Sequence, residues 1–288
     1  MTFCFYFHRM NFICLDGKII AAAEPVLMYN NRSFRYGDGL FETLKMINSR
    51  ILLKEFHFER LFTSLHILQY RVPVSFTASL LEDLIKSLAE KNNCKDLCRI
   101  RLTVFRGNGN LYPDQGQVNY SIECNPLDPA VNSLNERGYS IGIYPHAQKA
   151  CDLFSNIKSA SFLPYVMGAL YAEENKLDDS VLTNTKGSIA DATIANIFLI
   201  HRNKISTPGL TEGCINGVMR KYLLGKFREM GYECRETEIH QQDLLTADEL
   251  FLTNAINGIR WVKNFGSTLY TGSFTRKIYD EFIKPIFQ

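Results

Sequence analysis

Residues 35–43 read RYGDGLFET, from Arg35 to Thr43. Gly37 and Gly39 permit a tight turn, because glycine adopts backbone angles that other residues avoid. In the apolar run that follows, from Phe41 to Leu53, the turn-forming pair Asn48-Ser49 predicts a β-hairpin. The stretch therefore predicts a glycine turn that leads into two antiparallel strands.

The segments around this hairpin predict an α+β unit. Apolar side chains recur at helical spacing in residues 55–68 and again in residues 76–91. Apolar and polar residues then alternate from Ile100 to Val104, and residues 118–124 predict a partner strand. We expect a first domain at residues 1–124, in which residues 1–9 are an extension that precedes a start near Met10.

A second domain is predicted after a linker. Residues 125–138 are the expected linker, because Pro126 and Pro129 resist regular structure. The second domain then covers residues 139–288. Its elements are predicted as strands at 139–144, 180–183, 194–201, 204–207, 249–253 and 258–262 and as helices at 163–175, from 216 and from 274.

The composition indicates a globular chain that acts on a small molecule. Of the 288 residues, 46% are apolar and 22% are charged, which excludes a disordered chain. The formal net charge of +2 is too small to attract nucleic acid or an anionic membrane surface. A small-molecule partner is expected instead.

The cysteines favour a reducing compartment. Eight cysteines are spread along a large chain that shows no secretory segment, so a cytoplasmic location is expected. Only Cys94 and Cys98 lie close together, and no second Cys or His pair completes a tetrahedral zinc site. No metal is expected.

Three features could take part in binding or catalysis, although each also has an ordinary structural interpretation. Arg60 on an amphipathic helix is usually a solvated charge. Lys158 alone is most often a surface residue, yet its small neighbours leave room for a ligand. Gly217 opens a helix whose free N–H groups and positive dipole end suit a phosphate.

Taken together, the motifs resemble the class IV (fold type IV) pyridoxal-phosphate enzymes. This group contains branched-chain aminotransferases, D-amino-acid aminotransferases and aminodeoxychorismate lyases. The motifs span nearly the whole chain, and their order and spacing support the resemblance. The motifs are residues 35–43, His57-Phe58-Glu59-Arg60-Leu61, Ile157-Lys158-Ser159, Ala195-Asn196-Ile197-Phe198, Thr207-Pro208, Gly217-Val218-Met219-Arg220 and Ala247-Asp248-Glu249-Leu250-Phe251.

The resemblance implies a fold and an assembly. The expected fold is a two-domain α+β or α/β architecture, with a small α/β N-terminal domain and a larger C-terminal domain built on a pseudo-barrel sheet. The expected cofactor is pyridoxal 5'-phosphate, and the expected assembly is a homodimer.

The resemblance also assigns roles to residues. Lys158 is the implied Schiff-base lysine and the base that moves the α-proton. The implied phosphate ligands are Arg60, Val218, Met219, Asn254 and Ala255. The carboxylate that faces the pyridine nitrogen is usually a glutamate, and Asp191 occupies its position here. The implied substrate pocket contains Tyr36, Phe41, Arg106, Phe162 and Ile256.

Three functions remain open on this resemblance, of which two are reactions. A D-amino-acid specialist is disfavoured, because Phe41 replaces a tyrosine and no Arg-x-His pair follows Arg106-Gly107. A transaminase for branched-chain L-amino acids and 2-oxo acids is the leading interpretation. An aminodeoxychorismate lyase, which releases pyruvate and 4-aminobenzoate, is the alternative, and residues 213–220 favour it. A catalytically silent binding protein is the third, prompted by Asp191.

Overall fold

The structure is a computed structural model that describes residues 11–112 and 118–288. The extension predicted at residues 1–9 lies outside them. The chain divides into two compact units, and the second comprises Ala130–Ile157 and Phe162–Gln288. The first contains the described residues up to Pro129 together with the short segment Lys158–Ser161.

The first unit is a six-stranded antiparallel sheet with two long helices. The strands follow the spatial order β2-β1-β6-β5-β3-β4, and helices α2 and α3 pack on the sheet. The elements are β1 Phe12–Leu15, β2 Lys18–Ala21, α1 Arg32–Tyr36, β3 Gly39–Ile47, β4 Arg50–Ile51, α2 Lys54–Ile67, α3 Ala78–Lys91, β5 Leu97–Phe105 and β6 Asn119–Pro126.

Local chemistry sets the ends of several of these elements. Asn48 and Ser49 turn the predicted hairpin with φ angles of 48° and 62°. Helix α3 begins at Ala78, because the side chain of Thr77 accepts a hydrogen bond from the Leu80 N–H and caps it. Gly37 ends α1 in the left-handed conformation, with a φ of 66°.

The second unit is a nine-stranded mixed sheet. Its order is β12-β11-β10-β13-β14-β7-β8-β9, with β15 paired to β14. Helix α4 packs on β7 and β8, and α5 packs on β12 and β13. The elements are β7 Tyr139–Lys149, α4 Leu163–Glu174, β8 Asp179–Asn184, β9 Ile189–Ala192, β10 Asn196–His201, β11 Lys204–Pro208, α5 Val218–Glu229, β12 Cys234–Thr237, α6 Gln241–Thr246, β13 Glu249–Asn254, β14 Gly258–Phe265, β15 Thr268–Leu269, α7 Ser273–Ile278 and α8 Lys284–Phe287.

The segment predicted as a linker, residues 125–138, contains ordered structure. Its first two residues extend β6, and Pro129–Asn132 forms a short helical turn. Asn135 then bonds to the backbone of Trp261, accepting from the N–H and donating to the carbonyl at 3.0 Å each. The second part of the segment is therefore anchored to the sheet of the second unit.

Candidate active site

The segment Lys158–Ser161 lies along the edge of β3. The Phe41 N–H donates to the Lys158 carbonyl at 2.9 Å, and the Ala160 N–H donates to the Gly39 carbonyl at 2.8 Å. Strand β4 pairs only with the far end of β3, at Met46 and Ile47. The segment thus uses backbone groups that β4 leaves available, as an added strand does.

The side chain of Lys158 lies over an aromatic ring. Its Nζ is 4.6 Å from the centroid of the Phe41 ring, and the guanidinium carbon of Arg101 is 3.8 Å from the same centroid. Phe41 is buried. Two cations therefore share one aromatic side chain, which favours both through the ring quadrupole.

Glu42 is on the opposite face of β3 from Phe41, since side chains alternate along a strand. Its carboxylate accepts from Arg60 Nε at 2.7 Å and Arg60 Nη2 at 2.5 Å, and it contacts His57 Nδ1 at 2.7 Å. We call Glu42, His57 and Arg60 the Glu42 cluster. His57 and Arg60 are three residues apart on α2, so both reach the same carboxylate.

Electrostatics fix the charge states in the Glu42 cluster. Burial opposes ionisation of Glu42, but the Arg60 guanidinium and the His57 hydrogen bond overcome it and lower the pKa of Glu42 to about 2. Burial also lowers the pKa of His57, and the nearby charges of Arg60 and Lys158 act in the same direction. Glu42 is therefore an anion and His57 a neutral ring at neutral pH.

Asp191 is the second buried carboxylate of interest, and it lies on β9. It is 3.1 Å from Lys149 Nζ and 3.1 Å from the Tyr165 hydroxyl, and it accepts the Ile215 N–H at 2.9 Å. We call these four residues the Asp191 cluster. Burial and the Asp191 charge raise the pKa of Tyr165 well above its ordinary value, so the phenol keeps its proton and donates it.

The loop before α5 is fixed by side chains of the second unit. Asn196, from the Asn-Ile-Phe motif, donates through Nδ2 to the Ile215 carbonyl at 2.8 Å. A methyl group on Gly217 would lie 1.9 Å from Asn196 Oδ1, so this position requires glycine. Helix α5 then begins at Val218 without a side-chain cap. Its first N–H groups, including that of Met219, therefore suit an anion.

A turn between β13 and β14 holds the other predicted phosphate ligands. The Asn254 side chain accepts from the N–H groups of Ile256 at 3.0 Å and Asn257 at 2.8 Å. The Ala255 N–H takes no part in these two bonds. The turn thus holds its shape without using that donor.

The remaining predicted pocket residues have structural contacts of their own. Arg106 pairs with Asp38 at 2.8 Å, lies 4.3 Å above the Tyr70 ring and donates to the Leu68 carbonyl. Tyr36 is the last residue of α1, and 43% of its surface is exposed to solvent. Phe162 stacks on Tyr165 in the second unit, with ring centroids 4.2 Å apart.

Sequence reasoning missed several of these groups. The helical spacing of His57 and Arg60 indicates that both side chains could contact one partner. The motifs alone did not identify Glu42 as that partner. Lys149 gave no local signal, because β7–β8 and β8–β9 pairing brings it to Asp191. Arg101 lies in a strand that alternates arginine with apolar residues, so its position alone did not distinguish it from a solvent-facing arginine.

The described residues contain neither a membrane-spanning helix nor a metal-binding group of side chains. None of the helices in residues 11–112 and 118–288 is both long and apolar enough to cross a membrane. Within the same ranges, no group of three or more His, Cys, Asp or Glu residues is arranged to hold a metal ion.

The family model "Amino-transferase class IV" matches residues 39–265, which include both carboxylate clusters and Lys158. The chain belongs to the class IV aminotransferases. A Methanocaldococcus jannaschii protein named "Putative branched-chain-amino-acid aminotransferase" is 26% identical over 278 residues, covering 94% of each chain. The aminodeoxychorismate lyase of Bacillus subtilis is 26% identical over 252 residues, which cover 85% of this chain and 83% of the lyase.

Solved structures agree on the fold of this class IV aminotransferase. The branched-chain aminotransferase of Thermoproteus uzoniensis, solved with norvaline, superposes with a TM-score of 0.87 at 22% identity. The match covers 96% of this chain and 94% of that one. The expected fold type IV architecture is confirmed.

Proposed function

We propose that this class IV aminotransferase uses pyridoxal 5'-phosphate to transfer an amino group from a branched-chain L-amino acid to a 2-oxo acid. Lys158 carries the proposal. Its backbone is held at the edge of β3, and its ammonium group lies over Phe41. A primary amine on a fixed backbone suits a group that binds an aldehyde and then moves a proton.

The groups present fit three polar parts of this cofactor, which are its aldehyde, its phosphate and its ring nitrogen. The aldehyde requires an amine, which Lys158 supplies. The phosphate requires cations and N–H donors, and Arg60, the start of α5 and the Ala255 N–H have that chemistry. The ring nitrogen requires an anion, and Asp191 is held as an acceptor by three donors. We propose each role for its residue separately.

The bound cofactor supplies an electron sink for the substrate's α-carbon. The protein's own groups do the rest in this proposal. Lys158 Nζ takes the α-proton and returns it. Glu42 fixes the plane of the Arg60 guanidinium through two bonds, so that the arginine meets a phosphate in one orientation. Lys149 and Tyr165 hold Asp191 in place.

The substrate proposal rests on relatives and on pocket chemistry. The Methanocaldococcus jannaschii relative spans nearly the whole chain and has a branched-chain name. We propose that Tyr36, Phe41, Phe162 and Ile256 contact an apolar substrate side chain. Arg106 is proposed to act through its pairing with Asp38, which positions the loop of residues 35–39.

We further propose a cytoplasmic homodimer. The described cysteines are all free thiols, as a reducing compartment maintains them. Fold type IV enzymes are expected to work as dimers, and sedimentation of the active protein tests this. A fully active monomer would contradict it.

Two parallel assays test the proposed reaction. Cofactor-loaded protein is incubated with L-leucine and 2-oxoglutarate, and separately with aminodeoxychorismate. Formation of glutamate in the first assay, and its loss in Lys158→Ala, supports the transaminase. Pyruvate and 4-aminobenzoate in the second assay alone would establish the lyase instead, which the Bacillus subtilis relative favours. Absence of both products would overturn the proposal.

A further inference from the structure

Arg260 on β14 is a buried cation that donates hydrogen bonds to neutral oxygens. Only 8% of its surface is exposed. Its strand follows the turn of residues 254–257, which we call the phosphate turn. The guanidinium donates to five oxygens, and none of these acceptors is a carboxylate. They are the carbonyl oxygens of Ser133 at 2.8 Å, Ile259 at 3.1 Å, Asn257 at 3.3 Å and Val131 at 3.3 Å and the side-chain oxygen of Asn257 at 3.1 Å.

Arg260 fixes one end of the phosphate turn. It donates to both the carbonyl and the side-chain oxygen of Asn257. The Asn254 side chain fixes the other end, because it accepts from the N–H groups of Ile256 and Asn257. The Ala255 N–H, a proposed phosphate donor, lies between the two fixed residues. Arg260 and Asn254 together therefore hold the backbone that presents this N–H.

The same guanidinium fastens a second segment behind the turn. Arg260 donates to the carbonyls of Val131 and Ser133. The carbonyl between them, that of Asn132, accepts from the Tyr279 hydroxyl. Three consecutive carbonyls are thus held by two side chains of the second unit. Movement of the turn away from this segment would break hydrogen bonds to Arg260.

We propose that Arg260 is a positioning residue for the phosphate of the cofactor, an inference that rests on the function proposed above. A buried cation among neutral acceptors is costly, because these replace only part of its lost hydration. A phosphate bound at the Ala255 N–H brings about two negative charges to the turn that Arg260 holds. Arg260 attracts these charges through an environment that screens them less than water does. It therefore favours phosphate both by holding a donor and by its charge.

This role predicts an effect that depends on the phosphate. Pyridoxal has the aldehyde and the ring nitrogen of the cofactor but carries no phosphate group. Loss of the Arg260 charge should therefore weaken binding of pyridoxal 5'-phosphate and leave binding of pyridoxal unchanged. A residue that served only the fold would affect both ligands equally.

The test titrates full-length, cofactor-free protein with each ligand and follows protein fluorescence. Arg260→Met should raise the Kd for pyridoxal 5'-phosphate by about tenfold, since it removes the cation beside the turn. The Kd for pyridoxal should stay within about twofold. Arg260→Lys keeps the charge but makes fewer hydrogen bonds, so its Kd for pyridoxal 5'-phosphate should lie between those of wild type and Arg260→Met.

Arg137→Met is the matched control. It removes one cation from the same unit, but the Arg137 side chain is 77% exposed and pairs with Asp178. Both affinities should equal those of wild type. Equal losses of both ligands in Arg260→Met, or an unchanged Kd for pyridoxal 5'-phosphate, would overturn the role of Arg260. A wild-type protein that binds neither ligand would instead contradict the proposed function, and this inference with it.

Hydrogen exchange of the wild type tests the same inference if Arg260→Met does not fold. Pyridoxal 5'-phosphate should slow amide exchange in residues 130–135 as well as in the phosphate turn, because Arg260 joins the two segments. Pyridoxal at a concentration that gives equal occupancy should not slow exchange in residues 130–135. Protection by pyridoxal 5'-phosphate that is confined to the phosphate turn would contradict the role of Arg260.

Discussion

The Glu42 cluster and the Asp191 cluster both contain a buried, charged carboxylate, but the carboxylate has a different proposed role in each. Each stabilises a buried carboxylate with one cation, Arg60 for Glu42 and Lys149 for Asp191. In the first unit the arginine is the proposed ligand and the carboxylate orients it. In the second unit the carboxylate is the proposed ligand and the lysine holds it. Loss of Glu42 should therefore affect stability and cofactor binding, while loss of Asp191 should affect chemistry.

The largest expected effect on catalysis follows replacement of Asp191 by asparagine. A neutral amide cannot stabilise a protonated ring nitrogen, so kcat should fall by about 100-fold, or roughly 2.7 kcal/mol of barrier. Steady-state kinetics at saturating cofactor measure this, and KM should change less than kcat. Asp191→Glu shows whether the backbone has adapted to the shorter side chain.

The catalytic role of Asp191 is contradicted if both substitutions leave kcat within about twofold. That change corresponds to less than roughly 0.5 kcal/mol of barrier. Asp191 would then serve the fold alone, as a hairpin residue held by Lys149, Tyr165 and Ile215. Another group would have to face the ring nitrogen.

Glu42→Gln should lower the free energy of unfolding by about 3 kcal/mol at neutral pH, since it leaves Arg60 without its anion in a buried site. The pKa of Glu42 falls from an ordinary 4.5 to about 2 on folding. A lowered folded pKa stabilises the protein above pH 4.5, and this contribution disappears as the pH falls from 4.5 towards 2. The difference between wild type and variant should shrink over the same range.

Denaturant titrations at several pH values measure this difference. Glu82→Gln is a matched control in the same unit, because Glu82 pairs with Lys54 and Lys86 near the surface. It should cost less than about 1 kcal/mol. A Glu42→Gln deficit that stays constant from pH 7 to pH 2 would show that the Glu42 charge is not its source.

The smallest expected effect concerns Arg60→Lys. Lysine keeps the charge beside Glu42 but cannot make bidentate hydrogen bonds to a carboxylate or phosphate. Cofactor affinity should therefore fall by about tenfold, or about 1.4 kcal/mol. Fluorescence titration of the cofactor-free protein gives the affinity, and kcat at saturation should stay within about threefold. Unchanged affinity would mean that Arg60 serves only Glu42. This variant is cleaner than Arg60→Ala, which strands a buried carboxylate.

The sequence predicted most long elements because their signals are local. The hairpin at Asn48-Ser49 and the helices α2 and α3 follow from turn residues and apolar spacing. The five-residue helix α1, Arg32–Tyr36, was missed, because it is too short for a periodic pattern.

The parts of the site that depend on tertiary pairing were less predictable. The motifs identified Lys158, Arg60 and Asp191, and those three assignments stay predictions of role. The attachment of Lys158–Ser161 to β3 depends on a strand edge that β4 leaves open. The pairing of Lys149 with Asp191 depends on strands far apart in sequence. Neither leaves a mark in the local residue pattern.

The identity of the lysine that binds the cofactor is the most direct test of this account. Cofactor-loaded protein is reduced with sodium borohydride, which fixes the Schiff base, and the labelled peptide is identified by mass spectrometry. The account predicts the phosphopyridoxyl group on Lys158 and its loss in Lys158→Ala. A label on Lys149 or Lys45, the two lysines that are buried among the described residues, would contradict it.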